Sequence, residues 1–206
     1  MAAIVETQDT LVFSMGLGKS DVKLTVPDES WIEDGKALIR TIINYVEDTR
    51  KQLGAGETFG YGYWLVRFEE SPSERLAISE YSADASGFVP CANLALRYWR
   101  EQHEVCDRFA AQYTPPRADQ MVAISVGVYE GDAVQGVRYA APDHMTGWYL
   151  TTERFDGDVN TLTVEHLYHL TATRPDLARY VALPPGYCFD TTTGEDVWFD
   201  SEVADG

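Results

Sequence analysis

Cys188 sits in "LPPGYCFD", residues 183–190, just past a Pro-Pro-Gly turn and inside an aromatic pair. A cysteine nucleophile needs a base to take its proton and a third group to orient that base. His144 or His169 could supply the base if the fold brought one of them near. The local pattern argues the other way: Cys188 alternates with Tyr187 and Phe189 as in a strand, a setting in which a thiol packs as a small, inert hydrophobe. A G-x-S-x-G elbow, the signature of a serine nucleophile on a strand-to-helix turn, does not occur.

Metal chemistry has two starting points. His166 and His169 are three apart, and His103 precedes Cys106 by three, so either pair can share a helix face. Two ligands fall short of the four that zinc takes, and no C-x-x-C or H-E-x-x-H accompanies them. Asp156 and Asp158 flank Gly157, but the twelve-residue calcium loop with its terminal glutamate is missing, which leaves a solvated acidic loop. Carboxylate pairs recur in "RFEESPSE", "FDGDVN" and "GEDVWFDSEVADG", too often for any pair to stand out as an acid and base. "GLGKS" (16–20) ends like a phosphate loop, yet Phe13 stands where the first glycine belongs. The residues therefore imply no catalytic group, no cofactor and no metal.

The elements that would hold these residues read as a mixture. Strands are expected at 10–15, 21–26, 61–70 and 75–81, the last two as a hairpin around "SPSE". Ile39, Ile42, Ile43 and Val46 repeat at helical spacing between Trp31 and Leu53, with "LGAG" as the glycine stop. A second helix runs through "CANLALRYWREQHEVCDRFAAQY" with Ala95, Tyr98, Trp99, Gln102, Cys106 and Phe109 on one stripe. Beyond it come strands at 121–129, 136–140 and 147–152, a helix over "TVEHLYHLTAT" (163–173), a helical turn at "PDLARYV", and closing strands at "YCFD" and "DVWFD". The fold class is α+β, with two small mixed subdomains, each of antiparallel strands packed by one or two helices. Two prolines in "TPPRADQ" place a linker at 114–120, between domains 1–113 and 121–206.

The chain carries 33 acidic and 16 basic residues, a net charge of -17. Residues 118–206 hold 15 acids and four bases, and residues 1–117 hold 18 and 12. Such a field repels phosphate backbones and anionic lipid, which excludes nucleic acid and membrane as direct ligands and favours a basic protein. After Lys51 there is no lysine, so later cations are arginines, suited to fixed ion pairs. Three cysteines without paired spacing imply free thiols. The start "MAAIVETQDT" has no basic signal region, and no run reaches the ~18 apolar residues of a membrane span. A cytoplasmic location is expected.

"TGWYLTTERFDGD", "LTVEHLYHLTATRPDLARYVALPPGYCFD" and "GEDVWFD" together resemble the immunity-protein-33-like domain of bacterial polymorphic-toxin and type VI secretion systems. The anchors are Gly147, Trp148, Pro175, Leu177, Leu183, Pro184, Gly186, Phe189 and Trp198. The resemblance covers roughly residues 118–200 and leaves residues 1–110 outside. It implies a non-catalytic module that binds and neutralises a cognate antibacterial toxin. The acidity points to a basic, nuclease-type toxin whose active-site groove is occluded. The expected toxin-binding residues are Glu153, Asp156, Asp158, Asp196 and Asp200, with Glu130 and Asp132 as a second group and Tyr129 and Tyr149 as aromatic anchors. Trp148 and Trp198 are assigned to the core, and the Pro184-Pro185-Gly186 turn to launching the last strands. An acidic regulatory or adaptor protein is the alternative, followed by a Cys/His-dependent enzyme with its site between the halves.

Overall fold

The computed structural model describes residues 4–7, 9–14, 21–51, 53–72 and 75–205. The "GLGKS" turn and the second half of "SPSE" lie outside the described residues. The chain divides into two compact units, Met1–Arg100 and Glu101–Gly206. Each unit has its own mixed sheet and helices, the α+β class read from the sequence.

The N-terminal unit contains β1 (Ile4–Thr7), β2 (Thr10–Ser14), β3 (Asp21–Thr25), α1 (Ile32–Thr49), β4 (Thr58–Tyr61), β5 (Trp64–Glu70), β6 (Leu76–Tyr81) and β7 (Phe88–Val89). Its sheet runs β1-β2-β3-β6-β5-β4, with β7 on β6. All pairs are antiparallel except β3 with β6. α1 buries Ile32, Leu38, Ile39, Ile42 and Val46, the expected stripe, except that Ile43 is only half-buried. The helix sits close to the sheet at Gly35, where a Cβ would meet Leu11 Cδ1 at 2.7 Å and Val26 Cγ1 at 2.9 Å. It ends earlier than expected, because Arg50 takes the left-handed conformation (φ 56°) and stops it ahead of "LGAG". The expected strand at 61–70 is two: Tyr61 pairs with Trp64 across a two-residue turn, with Gly62 at φ 58°.

The division between the units falls inside α2 (Asn93–Arg108). The N-terminus of this helix is capped by a buried carboxylate from β6. Glu80 accepts from Leu94 N (3.0 Å), Ala95 N (2.7 Å) and Cys91 Sγ (3.1 Å), satisfying amides that a helix's first turn leaves without partners. α2 stops at Arg108, short of the expected Tyr113, because Ala110 is left-handed (φ 52°) and Ala111 N turns back to Cys106 O at 2.8 Å.

The C-terminal unit adds β8 (Met121–Ile124), β9 (Gln135–Arg138), β10 (Met145–Thr151), β11 (Thr163–His166), α3 (Leu167–Thr173), β12 (Tyr187–Asp190), β13 (Asp196–Phe199) and α4 (Ser201–Asp205). The sheet order is β11-β8-β10-β9-β12-β13, antiparallel except for β8 with β10. Two expectations are corrected here. The strand expected at 121–129 ends at Ile124, since Gly127 (φ 96°) opens a turn. The helix expected over 163–173 begins only at Leu167, because Thr163, Val164, Glu165 and His166 pair with β8 instead.

One sheet face forms the core. Trp148 of β10 donates Nε1 to Val181 O (3.0 Å), and Phe189 stacks on Tyr180 with ring centroids 4.3 Å apart. Gly136 of β9 leaves room for that ring, since a Cβ there would lie 2.1 Å from Phe189 Cε1. Arg138 is buried on the same face. Its Nε donates to Thr146 O (3.0 Å), and Nη1 points at the carbonyls of Thr114 (2.7 Å), Val181 (3.2 Å) and Leu183. Thr114 N also donates to Ala182 O (2.9 Å), so the segment after α2 is held to the 181–183 backbone.

Candidate functional site

The face opposite Trp148 is built by cross-strand register. Val164, Ala123, Tyr149, Val137, Cys188 and Trp198 stand opposite one another in β11, β8, β10, β9, β12 and β13, which puts them on one side of the sheet. A parallel row carries Thr151, Gln135, Asp190 and Asp196. The alternation of β10 sends Trp148 and Leu150 to the core and leaves Tyr149 outward, 37% exposed.

Over Tyr149 this face holds a groove of about 590 Å³. Val137, Tyr139, Gly147 and Tyr149 line it from the sheet, Ala140, Ala141, Pro142 and Met145 from the segment between β9 and β10, and Phe155, Val159 and Leu162 from the loop after β10; the last two groups are called its walls. The rings of Tyr139 and Tyr149 meet edge to face at 5.5 Å. Gly147 shapes the site. Its φ is 81°, and a Cβ would lie 2.1 Å from Tyr139 O, so the close approach of β10 to the 139–141 segment requires glycine.

The expected charged contacts fall into separate places. Glu153, Asp156 and Asp158 are exposed on the loop whose apolar residues form a groove wall. Asp156 accepts from Asp158 N (2.9 Å), and Asp158 caps the following 3-10 turn by accepting from Asn160 N (2.9 Å) and Nδ2 (2.7 Å). Those bonds hold the Asp158 carboxyl below its usual range. Asp196 shares the face with the groove, three strands from β10 or about 14 Å at normal strand spacing. Asp200 caps α4 through Glu202 N (2.9 Å). Glu130 and Asp132 belong to the turn after β8: Glu130 accepts from Gly127 N (2.8 Å) and Asp132 pairs with Arg154 (3.3 Å). Tyr129 lies in that turn, 37% exposed, and does not line the groove.

Trp148 is buried as assigned, but Trp198 is 42% exposed. The assignment of Trp198 to the core is overturned by the two-residue period of β13, which turns Val197 inward and Trp198 outward. The Pro184-Pro185-Gly186 turn does launch β12: Gly186 (φ 90°) donates to Arg138 O at 2.7 Å and Tyr187 N to Pro184 O at 3.2 Å. The lining residues Val137, Tyr139, Phe155, Val159 and Leu162 were missed from sequence. The alternation of β9 could have found Val137, which points outward beside Tyr149; Phe155, Val159 and Leu162 lie outside the strands, where no period marks them.

Cys188 is buried without a histidine partner among the described residues, and burial raises its pKa. Burial pushes Cys91 and Cys106 up to about 11. His103 stacks on Tyr113 (3.9 Å), and His166 Nδ1 lies 3.0 Å from Asp119 O. The rings of His166 and His169 are 5.9 Å apart, and among the described residues no three His, Cys, Asp or Glu side chains are grouped to hold a metal. No described helix is long and apolar enough to cross a membrane.

Residues 101–200 match the family model of the Imm33-like domain, in line with the resemblance carried by the GW, LPPG and tryptophan segments. The match begins at the first residue of the C-terminal unit, so residues 101–110, expected outside the resemblance, fall within it. No curated protein and no solved structure matches the chain.

Proposed function

We propose, from the Imm33-like match over residues 101–200, that this chain is an immunity protein that binds a cognate antibacterial toxin and neutralises it by protein–protein contact, without catalysis of its own. That match is the observation that carries the reading. The thiols support a binding role, since burial keeps them protonated at neutral pH and so poor nucleophiles.

Charge narrows the partner to a basic toxin, with a nuclease as the class whose substrate groove best complements an acidic protein. Residues 101–206 contain 18 acids and six arginines, and every one of those arginines is engaged internally. Arg108 and Arg179 face Glu195, Arg117 faces Asp119, Arg154 faces Asp132, Arg174 faces Asp176, and Arg138 is held by backbone carbonyls. The unit therefore meets a partner with acids and aromatics. The protein would act in the cytoplasm, where a delivered nuclease finds its substrate.

The test is calorimetric binding to the product of a neighbouring effector gene at 50 and 200 mM salt, with toxin activity and growth protection measured alongside. Binding that weakens with salt and abolishes activity is expected. An effector that is neither bound nor inhibited sinks the immunity reading, and inhibition of a toxin that is not a nuclease sinks the narrower one.

A further inference from the structure

Resting on that toxin-binding reading, we propose that the groove over Tyr149 takes a basic loop of the partner, with one aromatic or branched aliphatic side chain in the groove and Lys or Arg residues against the 153–158 wall. Its volume, about 590 Å³, is within the ~300–1,000 Å³ range of pockets that enclose a compact ligand. The groove presents apolar surface: Tyr139 and Tyr149 stand more than a third exposed, and Val159 is 66% exposed at the wall. Exposed aromatics in a concave, apolar site are the features that interface hot spots share.

The rim defines the sign of the occupant. Glu153, Asp156 and Asp158 crowd the wall loop, and its single cation, Arg154, is taken by Asp132 at 3.3 Å. Asp143, exposed, follows Pro142, which lines the groove. A phosphate or an acidic peptide would be repelled by these carboxylates, whereas Lys and Arg flanking an apolar anchor match both floor and rim. Two of these acids, Asp156 and Asp158, accept from loop backbone amides, so that part of the rim is organised before a partner arrives.

Three capped peptides test this on the full chain, followed by amide chemical shifts in NMR: Lys-Arg-Phe-Arg-Lys, Lys-Arg-Ala-Arg-Lys and Glu-Asp-Phe-Asp-Glu. The Phe-centred basic peptide is expected to bind at least fivefold more tightly than its Ala counterpart of equal charge. Its shifts should concentrate at Tyr139, Gly147, Tyr149 and Phe155, and the acidic peptide should produce none. Val159→Lys, a change at an exposed wall position, should weaken the Phe peptide at least fivefold, while the charge-matched Val5→Lys in the N-terminal unit should weaken it less than twofold. Equal affinity for Phe and Ala peptides, shifts centred on 126–132 or 196–200, comparable binding of the acidic peptide, or no binding at all overturns the proposal. A Val159→Lys chain that loses the peptide yet neutralises its toxin in full overturns the groove and leaves the immunity reading standing. A chain that takes the peptide as expected but protects against no effector keeps the groove and overturns the immunity reading.

Discussion

Arg138 shows how much of this unit rests on one side chain. It is a buried cation held by the carbonyls of Thr114, Thr146, Val181 and Leu183, and burial pulls its pKa down to about 10, still protonated at neutral pH. Replacing it with Met keeps the bulk and removes every donor. Buried acceptors left without partners cost about 1–3 kcal/mol each before relaxation, so Arg138→Met should destabilise the C-terminal unit by at least about 3 kcal/mol in urea denaturation followed by tryptophan fluorescence. An unchanged midpoint would mean that water replaces the guanidinium. The thiols make a second residue-scale prediction. Cys91 and Cys106 have folded pKa values near 11, raised by burial above the ordinary 9.0. The neutral thiol is thus favoured in the folded state, and this contribution to stability is full below pH 9 and lost as the pH rises through 11. Iodoacetamide at pH 8 should alkylate the native protein more than tenfold slower than the urea-unfolded chain. Equal rates would show that these thiols are not enclosed.

At the scale of elements, Glu80 joins two that the sequence does not link. Its carboxylate lies on β6 and caps α2 through Leu94 N and Ala95 N. Glu80→Ala should cost about 2 kcal/mol and lower the helical signal, and Glu80→Gln, which keeps one acceptor oxygen, should cost less. If both variants melt like the parent, solvent caps the helix instead. This contact also marks where sequence reading stops. Elements with a strong period were legible: the Ile39, Ile42 and Val46 stripe, the hairpin of β5 and β6, and the "YCFD" and "DVWFD" strands. Boundaries set by backbone conformation were not, because Arg50 and Ala110 are residue types that rarely take positive φ. β11 read as helix because its four residues run into α3 with no glycine or proline between them, and only pairing with β8 distinguishes them. The candidate site was half legible. The acidic loop and Tyr149 are visible in the chain, but the groove exists only once register lines up Tyr149 with Val137 and Gly147 brings β10 against the 139–141 segment.

For the molecule as a whole, the decisive quantity is the charge of -17 and its distribution. An exposed charge contributes little to a bound complex but acts at a distance on the encounter, within a Debye length of about 10 Å at 0.1 M salt. Glu153 and Asp196 have no ion pair or side-chain hydrogen bond among the described residues, and Asp156 and Asp158 bond only to neighbouring loop groups, so their charge faces the solvent. Reversing Asp156 and Asp158 to Lys changes the local charge by four at two exposed side chains whose hydrogen bonds stay within the loop, so the sheet should survive. If a basic toxin is steered to this face, the association rate at 20 mM salt should fall by about tenfold while dissociation changes much less. The slope of the rate against salt should flatten with it, and stopped-flow mixing reads both. A rate that falls equally on reversing Glu130 and Asp132 would mean steering by the net field rather than by this loop. A rate that does not fall at all would remove the 153–158 wall from the path of the partner.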